Sequence, residues 1–132
     1  MDTGIRVTAI PGPTSLTTAL AISGFDAHRF YFYGFLSPKR PERKDELRAL
    51  RDFPSPTVFL DAPYRLLQVL EDMTAAFGTG RRAAVAVDLT LNTEEVRRGT
   101  LQQLRDHYRE HKRKCEFVII VDGAPQRRRH RR

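Results

Sequence analysis

Cysteine and tryptophan are the scarcest residues of this sequence, with a single Cys115 and no tryptophan among 132 residues. One thiol excludes an internal disulfide framework and a multi-cysteine zinc centre. No apolar run approaches the length of a membrane span, and the first residues lack the charged-then-apolar pattern of a signal segment. The glycine-lysine loop of nucleotide triphosphatases, the dinucleotide G-x-G-x-x-G turn and the G-x-S-x-G elbow are all missing. These absences predict a soluble protein of a reducing, cytoplasmic compartment with no membrane partner, and they remove the commonest nucleotide-binding and hydrolase signatures.

What is present is globular in composition, 40% apolar and 30% charged, and the length suits one domain. The excess of 23 Lys and Arg over 16 Asp and Glu gives a net charge of +7. Much of it is local. Arg127, Arg128, Arg129, Arg131 and Arg132 crowd the end of the chain, and without them 18 cations face 16 carboxylates. The expected organisation is therefore a nearly neutral domain over 1–124 followed by a disordered Arg-rich tail over 125–132.

Along the domain, strand and helix signals alternate. Ile5 to Ile10 has the period of a short strand. Pro11-Gly12-Pro13 breaks it, and Thr14 or Ser15 can cap a helix that Gly24 stops. Further strands are predicted over 30–35, 57–60, 83–87 and 117–121. Between them lie helices carrying Leu47 and Leu50, then Leu66, Leu67, Leu70, Met73 and Phe77 up to Gly78, then Leu101, Leu104 and Tyr108. Thr100 and Gln103 have the spacing of a capping box for the last of these. Such alternation predicts an α/β fold, a mixed, mostly parallel sheet of about five strands flanked by helices.

In such sheets ligands gather where loops leave the carboxyl ends of strands. Three loops there are chemically suggestive: Pro11 to Thr14, Asp61-Ala62-Pro63 and Asp88-Leu89-Thr90. The first is either a stiff turn for close backbone approach to a ligand or a plain tight connection. Asp61 suits a helix cap or a ligand, and Asp88 suits a ribose hydroxyl or a turn. Arg65 sits early in its helix, poorly matched to the macrodipole, which points to an anionic ligand or a carboxylate partner. Arg97 and Arg98, before a turn at Gly99, can contact an anionic substrate or line a solvated basic turn. His107 and His111 have helical i,i+4 spacing without a third ligand nearby, so no metal is expected. Lys39, Arg40, Arg43 and Lys44 form a basic loop over 38–44 that, with the Arg tail, can neutralise phosphates. Tyr31 and Tyr33 read as core packing before they read as stacking residues.

The order of segments carries more than any one of them. Gly4-Ile5-Arg6-Val7, Ile10-Pro11-Gly12-Pro13-Thr14-Ser15, Gly34-Phe35-Leu36-Ser37-Pro38-Lys39, Ala62-Pro63-Tyr64-Arg65-Leu66, Glu94-Glu95 and Arg98-Gly99-Thr100-Leu101 resemble, in this order, the tetrapyrrole methylase-like enzymes. The similarity is closest to the branch that methylates a cytidine 2′-oxygen of small-subunit ribosomal RNA. It covers roughly residues 4 to 123 and corresponds to the C-terminal of that family's two α/β lobes; the family's N-terminal Gly-x-Gly-Asp-Pro loop has no counterpart. The resemblance implies S-adenosylmethionine as cofactor and S-adenosylhomocysteine as product. It implies cofactor contacts at Pro11, Gly12, Pro13 and Thr14, at Leu60 and Asp61, and at Ala86, Val87 and Asp88. Arg65 and Arg98, with Lys39 and Arg40, would then face ribosomal RNA or the small ribosomal subunit. A missing N-terminal lobe, or a second copy of the chain, would complete the cleft, and alone the chain is expected to be inactive. Departures occur at Val87-Asp88-Leu89-Thr90-Leu91, Thr93-Glu94-Glu95 and Tyr64, where the family pattern carries two cations and two histidines. The alternative is a non-catalytic RNA- or partner-binding protein that uses the basic loop and the tail.

Overall fold

The computed structural model describes residues 23–25 and 28–125. The strand predicted over 5–10, the helix behind it up to residue 22, Pro11, Gly12, Pro13 and Thr14, and the tail beyond Pro125 lie outside the described residues.

Aromatic side chains build β1 (Tyr31–Phe35), and Pro41 in the first turn starts α1 (Arg40–Ala49). The compact run of β2 (Thr57–Leu60) leads through a 3-10 turn, Pro63–Arg65, into α2 (Leu66–Phe77). Gly78 ends that helix at φ +99°, a conformation that favours glycine. β3 (Arg82–Val87) follows, then β4 (Glu95–Thr100), α3 (Leu101–Glu110) and β5 (Phe117–Val121). Among the described residues no helix is long and apolar enough to cross a membrane.

The five strands form one sheet in the order β1-β2-β5-β3-β4. It is mixed, as expected, but its pairing corrects the expectation of mostly parallel strands. Among the described strands β1–β2 is the only parallel pair, whereas β5 is antiparallel to both β2 and β3, and β4 is antiparallel to β3. The cause is β4. The sequence predicts a turn at Gly99 and no strand here, yet Glu95-Val96-Arg97-Arg98-Gly99-Thr100 pairs residue for residue with β3, Val87 opposite Glu95 and Arg82 opposite Thr100. That return strand reverses the chain, so α3 delivers β5 against the direction of its neighbours. An edge strand buries little, which is why its charged composition hid it.

Alternation divides the sheet into two faces. Phe59, Val85, Val87, Ile119 and Val121 face all three helices and share a core with Leu47, Leu70, Met73, Leu101 and Tyr108. Leu67, assigned to that face by its spacing, is only half-buried, and Val69 takes its place at full burial. The opposite face carries a smaller cluster of Val58, Ala86, Val118 and Ile120, with Phe25, Leu60, Leu89 and Val96 packed against it. Across the helices, Arg43 is 0% exposed. Its guanidinium donates to Asp72 at 2.9 Å, to Gln68 at 2.7 Å and to the Ser37 carbonyl at 3.3 Å. A buried cation with this many partners locks α1, α2 and the loop after β1 together.

Candidate functional site

β1, β2 and β3 end, and β5 begins, at the same edge of the sheet. The loops there enclose a cleft of about 560 Å³. Leu60, Ala86, Leu89 and Phe117 supply apolar walls, Asp61, Asp88 and Glu116 supply carboxylates, and Phe35 and Leu91 stand exposed on the rim.

Asp61 enters the cleft directly from the last residue of β2 and is only 5% exposed. Its Oδ1 accepts the Ala62 N–H at 2.6 Å and an Arg65 guanidinium N–H at 3.0 Å. Its Oδ2 is buried and has no hydrogen-bond partner among the described residues. It does not cap the helix, whose preceding turn begins at Ala62 without a side-chain cap. A buried carboxylate oxygen left bare is costly, so the site is built to receive a donor.

Asp88 is employed otherwise. It sits at φ +48° at the end of β3, and its backbone N–H donates to Glu116 at 2.8 Å. Its carboxylate accepts from Thr93 Oγ1 at 2.9 Å, from Arg113 at 2.8 Å and from the Glu116 N–H at 3.1 Å. The Thr93 hydroxyl first, then Arg113 and the Glu116 amide, hold its carboxyl below the usual range against the opposing pull of partial burial. Asp88 thus pins the loop over 88–94 to the start of β5, and it is a poor base. Glu95 is also committed, pairing with Arg97 and with Arg113 at 3.2 Å.

The remaining predicted positions divide cleanly. Leu60 and Ala86 line the cleft with Asp61 and Asp88, whereas the Val87 side chain is buried in the helix-side core and does not. Arg65 binds Asp61 and the Tyr64 hydroxyl, so it braces the cleft wall from behind. Arg98, on the edge strand β4, donates to the Ser23 carbonyl at 3.1 Å and is not among the residues lining the cleft. Lys39 lies 3.9 Å from Glu42, and Arg40 pairs with Asp72 at 3.0 Å and Glu71 at 3.7 Å. With Arg43 buried and Arg40 onward helical, the stretch over 38–44 is not a free basic loop, and most of its charge is answered within the fold. His107 and His111 stack ring on ring at 4.5 Å, and no group of three His, Cys, Asp or Glu among the described residues could hold a metal. Cys115 is buried and its thiol is pushed up by that burial, the profile of an inert core residue.

Sequence reasoning missed one part of this end of the molecule. The run Lys112-Arg113-Lys114, leading from α3 to β5, places cations beside a second cavity of about 310 Å³ between α2 and α3. The charge run itself was the available signal.

Comparison with known proteins agrees with this architecture. The sequence model for the family described as Tetrapyrrole (Corrin/Porphyrin) Methylases matches residues 1–105. The chain is 45% identical over 123 residues to the ribosomal RNA small subunit methyltransferase I of Xylella fastidiosa (strain Temecula1 / ATCC 700964), covering 92% of this chain and 45% of that protein. The chain thus spans under half the length of that relative. Among solved structures, that of the methyltransferase CobJ is similar with a TM-score of 0.62 at 24% identity, over 96% of this chain and 55% of that one. A uroporphyrin-III C-methyltransferase from Thermus thermophilus, complexed with S-adenosyl homocysteine, matches with a TM-score of 0.54 at 16% identity, over 89% of this chain and 53% of that one. At these identities the two structures report on the fold.

Proposed function

This chain belongs to the tetrapyrrole (corrin/porphyrin) methylase family, and we propose that it forms one lobe of an S-adenosylmethionine-dependent methyltransferase acting on small-subunit ribosomal RNA, at a cytidine ribose 2′-oxygen. The observation that carries this reading is the strand-end cleft with the bare, buried Oδ2 of Asp61. S-adenosylmethionine offers that oxygen several donors (an ammonium, ribose hydroxyls and an adenine amino group), and its flat base suits apolar walls such as Leu60 and Ala86. The residues present therefore fit the cofactor. When bound, it supplies an electrophilic methyl group on a sulfonium.

Within this lobe Asp61 binds and orients, with Arg65 fixing its rotamer through the other oxygen. Asp88 holds the cleft loop in place, and positioning of this kind can supply much of the rate of a methyl transfer. The resemblance adds Pro11 to Thr14, outside the described residues, as further cofactor contacts. A base for the ribose hydroxyl is not found in Asp88, whose carboxyl is held low, nor in doubly paired Glu95. Phe35 and Leu91, exposed at the rim, suit contact with a second lobe or a second copy of the chain. The share of the Xylella relative that the chain spans supports the expectation that it does not turn over alone. The cytoplasm is the compartment this reading requires.

Titration calorimetry of the chain with S-adenosylmethionine and S-adenosylhomocysteine tests the proposal. Weak binding, saturating only toward millimolar ligand, is expected, and Asp61→Asn should lose at least tenfold by removing the charge of the acceptor. No heat at millimolar ligand, or equal affinity in the variant, would sink the assignment of this pocket.

A further inference from the structure

The cavity between α2 and α3 has no place in the cofactor reading, yet it is built from unusual parts. Tyr64 stands 67% exposed at its rim. The Arg65 guanidinium lies 5.0 Å from the centre of the Tyr64 ring and donates to its hydroxyl at 2.9 Å, which holds the ring in position. Lys112 lines the same cavity and forms no ion pair with the described residues, whereas Glu71 across from it is drawn toward Arg40. Tyr108 also lines it. Its hydroxyl is buried with no hydrogen-bond partner among the described residues, although Phe would pack equally well there without that cost.

An exposed ring held flat by an arginine, an unanswered ammonium and a bare buried hydroxyl are the elements of single-stranded nucleic acid recognition. We propose that the cavity between α2 and α3 holds one unpaired nucleotide of the RNA substrate, with its base against Tyr64, its phosphate at Lys112 and a polar edge on the Tyr108 hydroxyl. This rests on the reading of the substrate as RNA and names the second place where the chain grips it. The geometry links the two places. Ala62 and Pro63 line the strand-end cleft and Tyr64 lines this cavity, so one turn of chain faces both, and Pro63 is tied to the start of β5 by the Cys115 N–H at 3.4 Å. A volume of about 310 Å³ is enough for a single base. Burial pushes the Tyr108 phenol up to about 12, so it keeps its proton and can donate as well as accept at neutral pH.

The test is fluorescence anisotropy of a labelled, unstructured single-stranded RNA at about 0.15 M salt, compared with the same sequence in duplex form. Tyr64→Ala should weaken single-strand binding about tenfold, and Tyr108→Phe about threefold. Neither change alters charge, so attraction by the Arg-rich tail is the same in every protein compared. Lys112→Ala should lower the salt dependence by about one phosphate contact. The Phe variant carries the sharper signature: its melting temperature should stay level or rise while RNA affinity falls, which a merely structural tyrosine would not do. Unchanged affinity in both tyrosine variants, equal affinity for duplex, or no RNA binding by the unaltered chain would each overturn the proposal. Cofactor titration of the same proteins keeps the two readings apart. Tyrosine-dependent RNA binding without any cofactor heat would remove the assignment of the strand-end cleft to the cofactor and leave this proposal standing.

Discussion

Asp61 and Asp88 follow their strands alike, and the sequence leaves Asp61 between a helix cap and a ligand, and Asp88 between a ribose contact and a turn. Their hydrogen bonds separate them. Asp88 spends both oxygens on Thr93, Arg113 and Glu116, while Asp61 keeps one oxygen bare. The same partners make Asp88 a pH-dependent stabiliser. Its folded-state carboxyl lies below the ordinary 3.8, so it contributes stability above that pH and loses it as pH falls toward the lower folded value. Asp88→Asn should therefore be less stable than the parent near neutrality, with the difference closing as the pH falls below about 4. Urea melts across that range would read it, and a pH-independent gap would show that the charge is irrelevant. Arg65 was legible only as a cation in want of an anion. That anion proves to be Asp61, four residues earlier, within the protein itself.

At the scale of elements, the helices and buried strands were plain because periodicity and burial coincide in them. The expected strand over 57–60 and the helix ending at Gly78 stand where the apolar pattern put them. The capping box at α3 is also present in full: the Thr100 hydroxyl accepts the Gln103 N–H at 3.2 Å, and Gln103 Oε1 accepts the Thr100 N–H at 2.9 Å. Thr100→Ala should cost about 1 kcal/mol in chemical denaturation, and no loss would mean that packing alone holds the helix start. β4 was illegible because nothing in Glu95-Val96-Arg97-Arg98-Gly99-Thr100 reports on the ladder of β3 that recruits it. Its Gly99, expected in a turn, lies in the strand under Gln103; a Cβ there would meet Gln103 Oε1 at 2.7 Å, so strand and cap constrain each other.

For the whole molecule, fold class and the edge that carries the cleft follow from the strand-helix alternation, while sheet order does not. Order depends on pairings between segments remote in sequence, and only coordinates supply them. β5 illustrates this: it is the last described strand, every residue of it is buried, and it sits between β2 and β3. Ile119→Ala, which opens a hole at 0% exposure, should cost about 2–5 kcal/mol and unfold the chain as one unit. Hydrogen exchange that accelerated in β5 alone would contradict that unity.

The late position of this central strand bears on how the chain is made. During synthesis β1 with β2, and β3 with β4, can pair early, but they remain two ribbons with facing raw edges until residues 117–121 emerge and zip them together. Closure of this sheet on the ribosome then waits for β5 rather than growing strand by strand, and until that moment the nascent chain presents the unpaired edges on which chaperones and neighbouring polypeptides act.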